Sequence, residues 1–496
     1  MNFINPIELS LIFPEIILTA TFILALVAEL LLRQRNGHMV SAIACGGILC
    51  AMLSDVMLLQ YPSTTAFAGM IRRDLFGTFF QLLVGIAVLL TTLISSWTRE
   101  VSEAPTAGRG EYYLMILSAT IGMFLLVISA NLIMLYISME LLSLSSYLLT
   151  GWLKKSRRSA EAGVKYIVYG AAASCSMIYG ISLFWGAAGS LSIDGIKAFL
   201  SQSGTVSPLL VVALLLTLAG FFFKIAAFPL FQWAPDVYQG APTPIAAFLA
   251  VGSKSAGMAA LLRFIFTGFV SFNVEMISMV LSKLNLPMFM AVISAATMTV
   301  GNFMALGQNN IKRLLAYSSI AHAGYILMAI PAMTEYGLKA ILFYLVVYLL
   351  MNMGAFLVVA MFENEGIEGE IPLYRGMGGR APAVAVAMSI FLFSLTGLPP
   401  FAGFIGKVYL FASVIKSKIY WLALVGVLNS VVSLYYYARI VKAMFLEKAD
   451  ESLSQIKVNP SLSVIMWVLA VPTVLLGIYW SPLINLALKA VQTLGM

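Results

Sequence analysis

Charge is what this chain has least of. Of its 496 residues only 10% are Asp, Glu, Lys or Arg, while 61% are hydrophobic. Soluble domains carry about 25% charged residues, so a water-soluble enzyme or nucleic-acid-binding domain is excluded. No stretch longer than about forty residues is polar enough for a separate soluble domain. There are 2 histidines and 3 cysteines, and they form neither a zinc pattern nor a disulfide framework. Cys45, Cys50 and Cys175 fall in apolar runs and read as small core residues. Neither a Walker loop nor a GxGxxG opening a helix after a strand occurs, which argues against a nucleotide site. The first seven residues carry no positive side chain, so the first apolar run is expected to be a retained span rather than a signal peptide.

What fills the chain instead is long apolar runs. A hydrocarbon core of about 30 Å needs about 20 apolar residues per helix. Fourteen such stretches are expected, near 8–32, 39–60, 76–97, 112–128, 130–152, 162–187, 208–231, 243–267, 286–306, 313–331, 336–362, 383–412, 420–446 and 461–488. The fold class is an all-α integral membrane protein of about fourteen transmembrane helices, with both termini on one side. The net charge of +8 fits basic loops held at anionic lipid rather than nucleic-acid binding. Loops after odd-numbered spans hold sixteen Lys and Arg residues, and the opposite loops hold nine, Arg73, Arg263 and Lys283 among them. The positive-inside rule makes the richer side cytoplasmic and puts both termini outside. Trp97, Trp152, Trp185 and Trp480 stand near span ends, as interface anchors do.

Sixteen plus nine leaves four of the 29 basic residues unplaced. These are Lys165, Lys224, Lys254 and Lys407, all inside spans. A charge at bilayer depth costs roughly 3 kcal/mol on insertion scales, and such residues commonly mark ion paths. Glu140 sits about ten residues from either end of the fifth span, which is mid-membrane at about 1.5 Å per residue, and Lys224 is its expected partner. Lys224 stands beside Gly220 and Pro229. Lys407 stands beside Gly397, Pro399, Pro400, Gly403 and Gly406. Glycine and proline together break helices, and broken spans are tolerated where backbone lines a cavity. Helices seven and twelve are therefore expected to be broken. Lys254 lies centrally in the eighth span and His322 in the tenth, beside Ser318 and Ser319. His322 is a weaker relay candidate, equally readable as a satisfied core histidine. Lys165 is the weakest, only about three residues inside its span and able to snorkel to the surface. Glu29 and Asp55 read as near-interfacial, Glu8 and Glu15 as wet, and Glu363, Glu365, Glu368 and Glu370 as an acidic surface loop.

The chain also appears in two copies. Ala219-Gly220-Phe221-Phe222-Phe223-Lys224 matches Ala402-Gly403-Phe404-Ile405-Gly406-Lys407 at four of six positions, and Glu140 and His322 share nearly the same offset, 182 against 183 residues. Five helices per copy is odd, so spans 4–8 and 9–13 would insert with opposite polarity as inverted repeats. The expected organisation is one polytopic membrane domain: a three-helix segment over about 1–110, a first repeat at 112–268, an inverted second repeat at 285–446, and a C-terminal helix in 460–496. One physical picture follows. Protonatable groups lie in a row at one depth, so moving Glu140 away from Lys224 would release the lysine's proton towards Lys254 and on to Lys407.

On these residues the chain resembles the antiporter-like membrane subunits of complex I, the proton-pumping NADH:quinone oxidoreductase, and most of all the subunit N branch. The segment from Lys224-Ile225-Ala226-Ala227-Phe228-Pro229 through Pro235-Asp236-Val237-Tyr238-Gln239-Gly240-Ala241-Pro242 to Ser253-Lys254 carries the resemblance. It implies that Glu140 and Lys224 are the paired glutamate and lysine of helices five and seven. Lys254 would then be the connecting lysine of helix eight, and Lys407 the lysine of an exit half-channel in helix twelve. Lysine at that last position argues against the M branch, and the chain's end at Met496 argues against the L branch with its long lateral helix. The resemblance further implies a non-redox, proton-translocating role in a bacterial inner membrane, beside other membrane-arm subunits and a peripheral arm. That arm would hold flavin mononucleotide and iron–sulfur clusters and pass electrons from NADH or ferredoxin to quinone. No cofactor is expected on this chain. The alternatives are a subunit of a multi-subunit cation/proton antiporter or of a membrane-bound hydrogenase. A solute carrier would show an aromatic-lined polar cavity instead of a row of protonatable groups.

Overall fold

The protein is described by a computed structural model covering residues 6–32, 37–60, 63–102, 109–203, 207–270, 285–448, 456 and 458–494. Arg33, Arg35, Lys283 and Lys457, counted among the loop charges, lie outside the described residues. Among those described, thirteen helices are long and apolar enough to cross a membrane. They are α1 (Phe13–Leu32), α2 (Gly37–Met57), α3 (Leu75–Ser96), α4 (Arg109–Ile128), α5 (Leu132–Thr150), α6 (Arg157–Ala188), α7 (Pro208–Ile225), α9 (Thr243–Gly268), α10 (Leu286–Leu306), α11 (Ile311–Leu327), α12 (Glu335–Asn364), α15 (Tyr420–Leu446) and α16 (Pro460–Ile478). After α7 the chain turns and resumes as α8 (Trp233–Gly240). The remaining expected span is a broken one, in two halves of 15 residues, α13 (Pro382–Thr396) and α14 (Ala402–Lys416). One small antiparallel hairpin, β1 (Thr64–Ala66) with β2 (Ile71–Arg73), joins α2 to α3.

Polar caps start several helices where the sequence changes from loop to apolar run. Asn131 accepts from the Ile133 amide at the head of α5 and Asn310 from the Arg313 amide at the head of α11, each satisfying one of the orphan donors of a first turn. Helices α9, α11 and α12 form the interior: 100% of the most apolar window of α9 is buried, against 33% for α6. A helix apolar all round belongs in the core, whereas α6 shows one face outward. Cys45 is half-buried and Cys50 and Cys175 are exposed, so they are not core residues. They face outward, where lipid accepts a small apolar side chain as readily as a core does.

The repeat is present in a different register from the one the sequence match suggests. A Cβ on Gly122 would meet the Leu142 amide nitrogen and the Ser138 carbonyl, and one on Gly301 would meet the Ala321 nitrogen and the Tyr317 carbonyl. All three pairs, 122/301, 138/317 and 142/321, are 179 residues apart, so α4–α5 corresponds to α10–α11. In that register Glu140 corresponds to Ser319, and His322 corresponds to Ser143, one helical turn away from the expected pairing. Positions three residues apart share a helix face, which is why two polar residues at similar depth imitate a repeat. At the breaks the Ala227 amide bonds the Phe222 carbonyl at 2.8 Å and the Leu398 amide bonds the Phe393 carbonyl at 3.0 Å, an offset of 171. Lys224 therefore precedes its break and Lys407 follows its own, and the six-residue match does not align equivalent positions.

Candidate functional site

The breaks place the two outer lysines. Helix α7 ends on Ala226 in the left-handed conformation (φ 57°), and α13 ends on Gly397 at φ 86°. Pro229 lies in the connector 226–232, and Pro399 and Pro400 lie in the connector 397–401. Gly403 sits in the first turn of α14, where a Cβ would lie 1.8 Å from the Ser394 carbonyl. Gly220 does not break α7: it is inside the helix, packed on Met177 of α6, where a small residue lets two membrane helices approach.

Lys224 occupies the last turn of α7 and donates to the Ser143 hydroxyl at 3.0 Å. Lys407 reaches back from α14 to the last residue of α13, donating to the Thr396 carbonyl at 2.8 Å and to the Ser430 hydroxyl at 2.9 Å, with its ammonium 4.5 Å from the centre of the Tyr325 ring. Lys407 thus places its ammonium on the C-terminal end of α13, where carbonyls and the negative end of the helix dipole favour a cation, while Lys224 is carried by the last turn of α7 and bonds a neighbouring helix. A cavity of about 240 Å³ borders Lys407, lined by Gly397, Phe404, Phe411 and Ser430.

Lys254 follows a π-helical turn, Leu249–Ser253, inside α9, a distortion that recurs at functional sites. It donates to the Ser319 carbonyl at 2.6 Å and to the Ser319 hydroxyl at 2.5 Å. The same hydroxyl accepts from Tyr348 at 2.9 Å, and Tyr348 accepts from Asn352 at 2.9 Å. One turn along α11, His322 Nδ1 is hydrogen-bonded to the Tyr344 hydroxyl at 2.7 Å, and Nε2 lies 3.4 Å from the Tyr437 hydroxyl, which bonds Ser318. Another turn on, Tyr325 contacts Asn302 at 3.3 Å beneath Lys407. Lys224, Lys254, His322 and Lys407 are each no more than 3% exposed.

Glu140 and Lys224 do not form the expected ion pair. Glu140 accepts from Ser174 of α6, while Lys224 bonds Ser143, one turn from Glu140 on α5. Glu140 is half-buried on a helix whose Ile137, Leu144 and Leu148 face outward. Among the described residues Lys224 and Lys254 are not joined by a hydrogen bond: one bonds Ser143 and the other Ser319. The stem of Lys224 packs on Gly257, one turn beyond Lys254, where a Cβ would lie 3.0 Å from Lys224 Cγ. Lys165 stands apart from this row. It is 38% exposed and pairs with Glu161 at 2.7 Å and Asp236 at 2.6 Å, and Asp236 also takes Arg313 at 2.5 Å. Asp236 lies outside every span long enough to cross. Partial burial raises its carboxyl, but the hydrogen bonds from Lys165 and Arg313 outweigh that and hold it below the usual carboxylate range.

Sequence reasoning missed the neutral linkers, Ser143, Ser174, Ser319, Tyr344, Tyr348 and Tyr437. Hydroxyls are common in membrane helices, and only the three-residue spacing of Ser319, His322 and Tyr325 could have picked out this face of α11. It also misplaced several charges. Arg263 is 1% exposed inside α9, in a bidentate pair with Asp74 at 2.7 and 2.8 Å. Arg73, Asp55 and Glu15 are buried together rather than wet or interfacial. Glu363 is not a surface-loop residue: it lies in the last turn of α12, half-buried, 3.8 Å from Lys312 and bonded by Thr243. Each was misread because burial of a charge depends on a partner distant in sequence.

A transmembrane family model for NADH:quinone oxidoreductase and the Mrp antiporter matches residues 129–433, which hold the whole row. The chain belongs to this NADH:quinone oxidoreductase/Mrp antiporter family. NADH-quinone oxidoreductase subunit N 2 of Chloroherpeton thalassium is 40% identical over 489 residues, 97% of this chain and 94% of the relative. NADH-quinone oxidoreductase subunit N of an Anaeromyxobacter species is 39% identical over 492 residues, 95% of this chain and 94% of the relative. A chain of respiratory complex I from Thermus thermophilus, solved with bound aureothin, superposes with a TM-score of 0.78 at 30% identity, covering 95% of this chain and 98% of that one.

Proposed function

We propose that this chain is the subunit N of a proton-pumping NADH- or ferredoxin-driven quinone oxidoreductase, and that it moves protons without redox chemistry of its own. The observation that carries the reading is the row itself: three lysines and a histidine buried at membrane depth, each bonded to hydroxyls or helix-end carbonyls rather than to a carboxylate. A buried lysine with only neutral partners has no fixed counter-ion to hold its proton. It can give the proton up and take it back as neighbouring charges change. Glu140 supplies the changing charge at one end, Lys224 and Lys254 carry the proton inward, His322 and its tyrosines bridge, and Lys407 releases it at the other end. Lys165 anchors the cytoplasmic rim through Asp236.

In this reading residues 1–110 form an accessory three-helix segment, 112–268 and 285–446 the two antiporter-like repeats, and 460–496 a closing segment, which is two helices, Pro460–Ile478 and Ser481–Gln492, rather than the one expected. Glu140, half-buried on an outward helix face, requires a covering partner, because an acid facing lipid is costly. The other membrane-arm subunits supply it. Flavin, iron–sulfur clusters and the quinone site belong to partner subunits. The chain lies in a bacterial inner membrane with its termini on the non-cytoplasmic side.

Lys254→Met tests the reading. Removing the ammonium leaves Ser319 its bond from Tyr348, so the assembled complex should form. Reconstituted in vesicles, it should lose proton uptake driven by electron transfer. Wild-type uptake in this variant would refute the relay.

A further inference from the structure

Away from the lysine row, the N-terminal three helices bury a second group of charges. Glu15 comes from α1, Asp55 from α2, Arg73 from β2 and Gln81 from α3, and all are within 5% of full burial. Arg73 Nη2 bonds Asp55, Arg73 Nη1 donates to the Gln81 side-chain oxygen at 2.6 Å, and Gln81 Nε2 donates to Glu15 Oε1 at 2.6 Å and to the Phe124 carbonyl of α4 at 3.2 Å. Arg73 Nη1 is 3.8 Å from Glu15 Oε1. Two carboxylates therefore face one guanidinium. The nearby Arg263 cannot supply the missing charge, because both its terminal nitrogens are bonded to Asp74, whose Oδ1 also caps the Gly77 amide at 2.7 Å. One negative charge remains uncompensated in a buried place, where an unpaired ion is strongly disfavoured. The second oxygen of each acid, Glu15 Oε2 and Asp55 Oδ2, is buried without a hydrogen-bond partner.

We infer that Glu15 and Asp55 form a proton-binding site, in which the two acids hold one proton between them while Arg73 balances the remaining carboxylate. Like charges sharing a site cannot both ionise, and the two unpartnered oxygens are where the proton is taken up. A cavity of about 410 Å³, lined by Arg73, Asp74, Thr78, Leu58, Ser63 and Thr493, reaches the guanidinium that lies between the two acids. It opens beside the α2–β1 connection and the C-terminal end of the chain. The site exchanges protons with that face, and it stands whether or not the lysine row transports them.

Infrared difference spectroscopy of the assembled complex in H₂O and D₂O tests the assignment through the carbonyl stretch of protonated carboxyl groups. Glu15→Gln and Asp55→Asn should each remove one protonated-carboxyl signal, because the remaining acid then ionises against Arg73. Arg73→Met should add one, because both acids are then neutral, and it keeps the test open if either acid variant fails to assemble. Signals unchanged in the acid variants, or no gain in Arg73→Met, overturn the proposal. So does a signal that vanishes on adding sodium, which would mark a metal-cation site instead.

Discussion

The Ser319 hydroxyl should control how readily Lys254 carries charge, and Ser319→Ala isolates it. The hydroxyl takes a bond from Lys254 at 2.5 Å and another from Tyr348 at 2.9 Å. Alanine removes both and leaves Lys254 only the Ser319 carbonyl at 2.6 Å. A hydrogen bond to a charged group contributes about 1.5–3 kcal/mol. At about 1.4 kcal/mol per factor of ten, the charged form of Lys254 becomes roughly ten- to a hundredfold harder to populate. If that form is an obligatory station, electron-transfer-driven proton uptake by vesicles holding the assembled complex should fall by the same factor. Ser319→Thr keeps the hydroxyl and should stay within a fewfold of wild type. Tyr348→Phe loses two neutral bonds, to Ser319 and from Asn352, but leaves Lys254 both of its own; the one that bears on the Ser319 hydroxyl contributes about 1 kcal/mol, so uptake should slow by less than about tenfold. The reasoning is refuted if Ser319→Ala pumps at the wild-type rate while Lys254→Met does not pump at all, because the hydroxyl would then have no part in stabilising the charge.

Two further perturbations act elsewhere. Asp74→Asn breaks a fully buried bidentate pair with Arg263, so it should cost about 3–5 kcal/mol. The loss would appear as a lower thermal transition of the purified complex or reduced assembly, and Asp74→Asn with Arg263→Met together should recover part of it. Asp236→Asn should be visible only at ordinary pH. The folded carboxyl titrates below its unfolded value of about 3.9, so its ion pairs contribute fully above that value and are lost as pH falls through the folded one. The stability gap between wild type and variant, followed by thermal denaturation, should hold above the unfolded value of about 3.9 and close as pH falls through the lower folded one.

The membrane class, most of the spans and the three deeply buried lysines, Lys224, Lys254 and Lys407, were legible because apolar length and misplaced charge are local signals. Spans such as 286–306 coincide with their helices to the residue. The partners of those charges were not legible. Glu140 and Lys224 look like a pair by depth, yet Ser174 and Ser143 intervene, and nothing in a serine's own surroundings marks it as an interposed bond. Charge pairing between Arg263 and Asp74 spans 189 residues of sequence, so composition alone assigns the arginine to a loop. The repeat was legible as an idea but not as a register, because polar residues one turn apart on a helix are interchangeable to an eye that sees only spacing.

The two breaks place their lysines by different local means, and this can be tested. At the first, Lys224 stands in the last turn of its own helix and bonds Ser143, and the turn behind it is made by Ala226 at φ 57°. At the second, Lys407 comes from the following half-helix, and its stem must pass the turn residue to reach the Thr396 carbonyl. A Cβ on Gly397 would lie 2.7 Å from Lys407 Cδ, so glycine is required there for space as well as for φ. Left-handed geometry costs a non-glycine residue about 1–2 kcal/mol, whereas glycine's extra freedom in the unfolded chain costs about 0.5–1 kcal/mol. Ala226→Gly should therefore be close to neutral in thermal stability and leave proton uptake intact, since the hydrogen bonds that hold the row do not involve Ala226. Gly397→Ala should lose about 1–2 kcal/mol from the turn alone, and should slow proton uptake further by pushing the ammonium off the helix end. Equal behaviour of the two substitutions would mean that Lys407 does not depend on the helix terminus it reaches back to.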